Sequence, residues 1–241
     1  MTLINKLKNI YLSLKNREIA KNINRGCTNA PVVRCGSQFG GFDIVPPEKL
    51  KATHSGVAMS FGIGEDLSFS EDLRRLTGIA IYAFDPTPRS VEYVKKHPLS
   101  GDAGFKFFDV GISDRDEEAE FHLPVNSAHV SGSMERYSGV REDSIKVTMK
   151  SFATICRELG ISHVDILKMD IEGSEFKVLP HIVKSGVGVS QLCVETHERF
   201  FPDKVAKFAA LCDLMYGNGY LCVSKDYVES VYTFVKADLL K

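Results

Sequence analysis

The stretch that most constrains the fold is a short apolar run that ends in a group of acids. Residues 164–169 (VDILKM) are largely apolar, as is typical of a strand buried on both faces of a parallel sheet. Asp170, Glu172 and Glu175 follow where this strand should end. Ligands bind beyond the carboxyl ends of strands in open α/β sheets, so these acids are candidates for chemistry. A solvated turn with capping carboxylates fits the same residues.

A glycine turn follows an earlier predicted strand. Residues 56–61 are apolar, and Gly62 and Gly64 come directly after them, before a predicted helix. Such a unit is typical of nucleotide binding, because glycine lets the backbone approach a ligand closely. The next residues, Glu65 and Asp66, would repel a pyrophosphate and attract a cationic amino group. This disfavours an NAD-dependent dehydrogenase and favours the methionine end of S-adenosylmethionine.

Acids also end the next two predicted strands. Residues 79–85 end in Asp85, where a carboxylate can accept hydrogen bonds from ribose hydroxyls. Residues 105–109 end in Asp109, which in this architecture can meet the adenine amino group. A turn-forming aspartate is the structural alternative for Asp109.

The remaining segments complete an α/β pattern. Residues 115–150 predict a hairpin-like insertion over the mouth of the site, and residues 189–195 predict a fifth parallel strand. Residues 220–235 predict a closing antiparallel hairpin. We therefore predict a Rossmann-like class I methyltransferase fold with a seven-stranded, mostly parallel sheet.

The N-terminal segment has a different character. Residues 1–25 show the pattern of an amphipathic helix with a basic polar face. This helix either lies on an anionic membrane surface or a membrane-bound partner, or packs on the domain or on a second subunit. We predict residues 1–38 as helix and linker and residues 39–241 as the main domain. Residues 39–46 fit either a lid over the site or a plain linker.

Composition narrows the function classes. The 241 residues carry a formal net charge of −1, which gives no reason to expect nucleic acid as a partner. The six cysteines form no CxxC pair and predict reduced thiols. Neither a secretory signal pattern nor an apolar stretch of about 18 residues is present in the sequence. We expect a cytoplasmic protein that can contact a membrane peripherally.

Three motifs resemble those of a known family. Residues 167–175 (LKMDIEGSE), 60–66 (SFGIGED) and 84–89 (FDPTPR) are similar to FkbM-type S-adenosylmethionine-dependent methyltransferases, in a branch related to methyltransferase-like protein 24. The resemblance covers about residues 39–235. Many members carry Asp-x-Gly-x-x-x-Gly in the first turn, where this chain has Ser60 and Asp66 in place of the acid and the closing glycine.

The resemblance implies methylation of oxygen atoms on small molecules and sugars. It places cofactor binding on residues that follow the first three predicted strands, namely Gly62, Gly64, Glu65, Asp66, Asp85 and Asp109. The acceptor is then a hydroxyl of a sugar, a glycan or another small metabolite. Polysaccharide modification follows from this analogy alone.

Methyl transfer to a hydroxyl needs a base. We expect His197 or Asp170 to take the proton and Glu172 to orient the substrate. A divalent metal on Asp170, Glu195 and His197 is an alternative that we do not favour. The alternative of another class is a non-catalytic Rossmann-like module that binds a partner through its basic N-terminal helix, without affinity for the cofactor.

Overall fold

A computed structural model describes residues 7, 17–50, 55–124 and 140–241. In chain order its elements are α1 (Arg17–Asn24), β1 (Val33–Cys35), β2 (Phe42–Ile44), α2 (Pro47–Leu50), β3 (Val57–Phe61), α3 (Ser68–Thr77), β4 (Ala80–Phe84), α4 (Pro88–Lys96), β5 (Phe105–Phe108), β6 (Gly111–Ser113), β7 (Glu117–Pro124), β8 (Val140–Ser151), α5 (Phe152–Leu159), β9 (His163–Met169), α6 (Glu175–Lys184), β10 (Gly188–Glu195), α7 (Lys204–Gly217), β11 (Tyr220–Asp226) and β12 (Val231–Lys236). Short 3₁₀ turns lie at Pro98–Gly101, Glu198–Phe200 and Ala237–Leu240.

The central sheet has seven strands in the order β11-β12-β10-β9-β3-β4-β5. Strands β5, β4, β3, β9 and β10 pair in parallel, whereas β12 pairs antiparallel with both β10 and β11. This is the Rossmann-like methyltransferase topology, so the predicted fold class is confirmed. The predicted terminal hairpin is β11 and β12.

Both faces of the sheet are covered, because the strands alternate their apolar side chains. On β9, Leu167 and Met169 face a cluster with α1, α5, α6 and α7, while Ile166 faces a cluster with α3, α4 and β2. Burial on both faces explains why this strand reads as a continuous apolar run. It also leaves the carboxyl ends of the strands as the place where polar groups gather.

The insertion forms a second, smaller sheet with the order β6-β8-β7. Strands β7 and β8 pair antiparallel, as the sequence predicts for residues 115–150. The polar loop predicted at its tip lies outside the described residues. Phe121 on β7 and Met149 on β8 reach the cavity described below, so the insertion borders the mouth of that cavity.

The described part of the N-terminal segment packs on the main domain. Ile19, Ala20 and Ile23 of α1 are buried, and Tyr216 of α7 donates a hydrogen bond to the carbonyl of Ile23. Most of residues 1–16 lie outside the described residues, so the predicted membrane or partner contact stays a prediction, as does the division at residue 38. Within the described part of the chain, every helix is too short or too polar to cross a bilayer.

Candidate active site

A cavity of about 230 Å³ opens at the carboxyl ends of β3, β4 and β9. Its wall combines the glycine turn after β3, the segment after β4 and the acidic segment after β9. The residues predicted for cofactor and catalysis that line it are Gly62, Gly64, Glu65, Asp66, Asp85, Asp170 and Glu172. The structure therefore gathers most of the predicted site at one edge of the sheet.

The glycine turn is held very close to β9. Gly62 has φ +78°, and a Cβ added to it would lie 1.7 Å from the carbonyl oxygen of Asp170. The Gly62 carbonyl accepts a hydrogen bond from the buried ammonium of Lys168, whose Nζ also lies 3.7 Å from Asp170 Oδ2. Only glycine combines this backbone conformation with this contact.

Asp85 organises the turn from the end of β4. Its Oδ2 accepts hydrogen bonds from the backbone amides of Ile63 and Gly64, at 2.8 and 2.9 Å. Its Oδ1 accepts from the amide and the hydroxyl of Thr87, at 2.9 and 2.6 Å. Asp85 is thus largely buried and fixes the shape of the cavity, and the predicted contact with ribose hydroxyls stays a prediction.

Asp66 ties the first turn to the loop before β2. Its Oδ2 accepts from the Ser37 hydroxyl at 2.7 Å, and its Oδ1 accepts from the Ser68 amide at the start of α3. Burial opposes ionisation, but these hydrogen bonds outweigh it and lower the pKa of Asp66. The loop that they hold places Gly40 and Phe39 at the cavity, and the Phe39 side chain remains 73% exposed.

The remaining cofactor candidates differ in position. Glu65 lines the cavity and forms an ion pair of 2.7 Å with Arg89 at the start of α4. Asp109 is exposed and is not among the lining residues, although Gly111 and Ile112 of the following strand β6 are. Its predicted contact with adenine is not supported by this position.

An apolar slot lies beside these acids. Phe84 stacks on Phe61 with ring centroids 4.8 Å apart, and Ile112 and Met149 complete the wall. Such a slot suits the flat face of an adenine ring, and the acids suit a cationic amino group. The cavity therefore combines an apolar wall with acidic groups.

His197 lies under the acidic edge and is 1% exposed. Its Nδ1 hydrogen-bonds to Oε1 of Glu175 at 2.9 Å, and Glu175 is itself fully buried at the start of α6. Glu175 also accepts from the amides of Ile171 and Gly173. One carboxylate thus fixes both the imidazole and the turn that carries Glu172, which has φ +53°.

Three further carboxylates surround Nε2 of His197. Oxygens of Glu172, Glu195 and Asp170 lie 3.4, 3.6 and 3.8 Å from it. Burial disfavours the imidazolium, but Glu175, with Asp170 and Glu172, outweighs it and raises the pKa of His197 to about 9. Burial, with the negative charge of Asp170, raises the pKa of Glu195 to about 8.

The geometry argues against His197 as the group that takes the substrate proton, a role that stays a prediction. The imidazole is buried and does not line the cavity, and the neighbouring carboxylates raise its pKa. Its charge instead stabilises the neighbouring carboxylates. Asp170 lines the cavity, so it remains the candidate base, and Glu172 remains a candidate for orienting the substrate.

The same centre could hold a divalent cation. Asp170, Glu172 and His197 each offer a ligand atom, and these atoms lie within 4.8 Å of one another. In this set Glu172 stands in place of Glu195, which was the ligand predicted from the sequence. A buried imidazole among carboxylates needs a compensating positive charge, which either a proton or a divalent cation supplies.

Sequence reasoning missed two contributors and the role of a third. Glu175 was named among the acids after β9, but its hydrogen bond to His197 was not predicted. Ser37 gave no signal, because its partner Asp66 lies 29 positions away in the sequence. Phe39 was included only in a segment read as lid or linker. The one available hint was the position of Glu175, a glutamate that follows the acidic turn after β9.

Comparison with known proteins agrees with this geometry. A family described as "Methyltransferase FkbM domain" matches residues 53–222. The 2-O-methyltransferase NoeI of Sinorhizobium fredii is 30% identical over 115 residues, which are 41% of this chain and 46% of that protein. The chain thus spans less than half the length of this relative.

Solved structures with a similar fold have low identity. A fibrillarin/Nop5p complex is 11% identical, with a TM-score of 0.46 over 85% of this chain and 92% of that one. The fibrillarin pre-rRNA processing protein of Methanococcus jannaschii is 9% identical, with a TM-score of 0.44 over 82% and 71%. We draw nothing further from these two likenesses.

Proposed function

This chain belongs to the methyltransferase FkbM family, and from that premise we propose that it transfers a methyl group from S-adenosylmethionine to a hydroxyl of a sugar, a glycan or another small metabolite. The observation that carries the proposal is the cavity itself. It joins a glycine turn, an apolar slot and an acidic edge at the carboxyl ends of three neighbouring strands. This is where open α/β sheets bind their ligands.

The donor end of the cavity uses residues after β3 and β4. When bound, S-adenosylmethionine supplies an electrophilic methyl group on a positively charged sulfur. Gly62 and Gly64 give the turn its shape, and Asp85 holds their segment in place through backbone amides. Glu65 and Asp66 contribute negative charge for the cationic amino group of the donor.

The acceptor end uses the segment after β9. Asp170 accepts the hydroxyl proton as the oxygen attacks, and Glu172 accepts a hydrogen bond from a second hydroxyl of the acceptor. Two carboxylates side by side suit neighbouring hydroxyls, which sugars present. His197, held by Glu175, keeps both carboxylates in place through its charge. The relative named as a 2-O-methyltransferase supports oxygen as the methylated atom.

The test is methyl transfer to a panel of oligosaccharides and hydroxylated metabolites, followed by mass spectrometry. We expect one or more hydroxyl compounds to gain a methyl group. Asp170→Asn should lower turnover by about 10²–10⁴-fold while it still binds the donor. Asp114→Asn is the control, since Asp114 pairs with Lys177 at 2.9 Å and does not line the cavity. Methylation of amines or thiols alone would overturn the proposal.

A further inference from the structure

Two cysteines that are far apart in the sequence lie side by side at the edge of the central sheet. Cys27 and Cys222 form a parallel bridge, in which the Cys222 amide donates to the Gly26 carbonyl and the Thr28 amide donates to the Cys222 carbonyl. Opposed residues of parallel strands lie about 4.8 Å apart with their side chains on the same face. This spacing falls within the range in which disulfides form. Neither cysteine lines the cavity.

The surroundings of Cys27 favour its thiolate. Nζ of Lys225 lies 3.3 Å from the Cys27 sulfur and also donates to the side chain of Asn24. In the thiol form Cys27 donates to the Ile23 carbonyl and Cys222 to the Ser224 carbonyl, both at 3.2 Å. The neighbouring Cys222 thiol and the charge of Lys225 lower the pKa of Cys27 to about 6, against the opposing effect of burial. Cys27 is half-buried, so a small oxidant reaches it, whereas Cys222 is 1% exposed.

The other cysteines have the opposite character. Cys35, Cys156, Cys193 and Cys212 are buried. Burial raises the pKa of Cys35 to about 11 and that of Cys156 to about 12. The thiolate is the reactive form of cysteine, so these thiols are inert beside Cys27.

We propose that Cys27 and Cys222 are a thiol pair that a hydroperoxide oxidises to an intramolecular disulfide. The Cys27 thiolate attacks the terminal peroxide oxygen, the O–O bond breaks, and the released hydroxide or alkoxide takes up a proton to become water or an alcohol. The Cys222 sulfur then attacks the Cys27 sulfenic acid. The S–S bond forms, the S–O bond breaks, and the thiol proton leaves with the hydroxide as water. Two thiols are oxidised and one hydroperoxide is reduced.

The disulfide would join the segment after α1 to β11. It would close a loop that spans most of the chain, and such loops gain the most from cross-linking. The same segment leads into the loop that carries Phe39. Oxidation would therefore tie the segment around Cys27 to β11 at the edge of the central sheet. This proposal is independent of the methyl acceptor.

The test treats the full chain with one equivalent of hydrogen peroxide. We expect an intact mass lower by two hydrogens, a peptide that links Cys27 to Cys222, and a thermal midpoint raised by roughly 10 °C. Dithiothreitol should reverse all three changes. The Cys222→Ser variant should instead accumulate a sulfenic acid on Cys27 that dimedone traps. Cys156→Ser is the control and should cross-link as the wild type does.

A second measurement does not depend on whether Cys222→Ser folds. Iodoacetamide should alkylate Cys27 of the reduced wild type with a midpoint near pH 6, and Lys225→Met should move that midpoint upward. Lys184→Met removes an exposed lysine elsewhere and should leave it unchanged. An alkylation midpoint near that of a free thiol, peroxide products without the Cys27–Cys222 link, or disulfides between molecules would overturn the proposal.

Discussion

Gly62 and Asp170 meet backbone to backbone where β3 and β9 end. The contact exists because two parallel strands converge on a turn with positive φ, and any side chain on Gly62 would push the acidic segment away from the cavity. The shape of the site therefore depends on Gly62 having no Cβ atom. The charge of the site depends in the same way on a single buried imidazole, His197.

Gly62→Ala should cost several kcal/mol of unfolding free energy and abolish donor binding, because the new Cβ would overlap the Asp170 carbonyl. Gly78→Ala is the matched control: Gly78 has φ +69° but nothing within 4 Å of an added Cβ. It should lose only about 1–2 kcal/mol. Urea denaturation and calorimetry measure both. Equal losses in the two variants would show that the contact with Asp170 is unimportant.

In Cys27→Ser, stability should fall as the pH rises from about 6.5 to 9.5, whereas in the wild type the lowered pKa of Cys27, about 6, opposes this change. The folded-state pKa of His197 is about 9, above its ordinary value of 6.5, so the folded protein holds this proton more tightly. Its contribution is fully present below 6.5 and is lost as the pH rises through 9. The raised pKa of Glu195, about 8, acts in the same direction. Urea denaturation in the presence of EDTA measures the effect.

Glu175→Gln should lower the pKa of His197 by about 1–2 units, which NMR titration can follow. Glu198→Gln, whose carboxylate hydrogen-bonds to Thr196, is the control and should change it less. If Mg²⁺ or Mn²⁺ restores stability at high pH, a cation has replaced the proton at this centre. An unfolding free energy of Cys27→Ser that rises between about pH 6.5 and 9.5 without metal would contradict the charge arrangement described.

At the scale of elements, the loop between β1 and β2 lines the cavity through Phe39 and Gly40. The hydrogen bond between Ser37 and Asp66 fixes it, and a Cβ on Gly40 would lie 2.5 Å from Asp66 Oδ2. This close packing presents the exposed ring of Phe39 at the mouth. We expect a bound ligand to contact this ring.

Phe39→Ala should weaken donor or acceptor binding by about 10–100-fold, because a bound ligand would bury the ring. Its unfolding free energy should stay within about 0.5 kcal/mol of the wild type, since the ring is 73% exposed. Val205→Ala, an exposed apolar position on α7, is the control and should change neither. Unchanged ligand affinity with Phe39→Ala would mean that this loop does not cover the site.

The sequence predicted the elements better than it predicted their contacts. The strands at residues 164–169 and 189–195 could be predicted because strands buried on both faces are continuous apolar runs. Asp85 and Asp170 could be predicted as site residues because they end such runs. The raised pKa of His197 could not be predicted, because it depends on Glu175, Asp170 and Glu172, which the fold brings together around the imidazole. Asp109 followed the rule for strand ends but does not line the cavity.

The described part of the chain is built around one sheet that is covered on both faces. The candidate active site lies at the carboxyl ends of its parallel strands. Helix α1 belongs to the same body, since Ile23 is fully buried against the core. Ile23→Ala should therefore cost about 2–5 kcal/mol of unfolding free energy in a single transition. Val32→Ala, at a largely exposed position, is the control. A second, separate transition in denaturation would show that residues 17–24 fold independently of the sheet.

The central claim is that this fold binds S-adenosylmethionine at the turn after β3. Calorimetry on the wild type and on Asp85→Asn tests it directly, with Asp102→Asn as the control, because Asp102 pairs with Arg74 and does not line the cavity. We predict micromolar binding to the wild type and to the control, weakened at least about tenfold in Asp85→Asn, where amides of the turn lose a charged acceptor. Absence of binding to folded wild-type protein would contradict the account and favour a non-catalytic binding module.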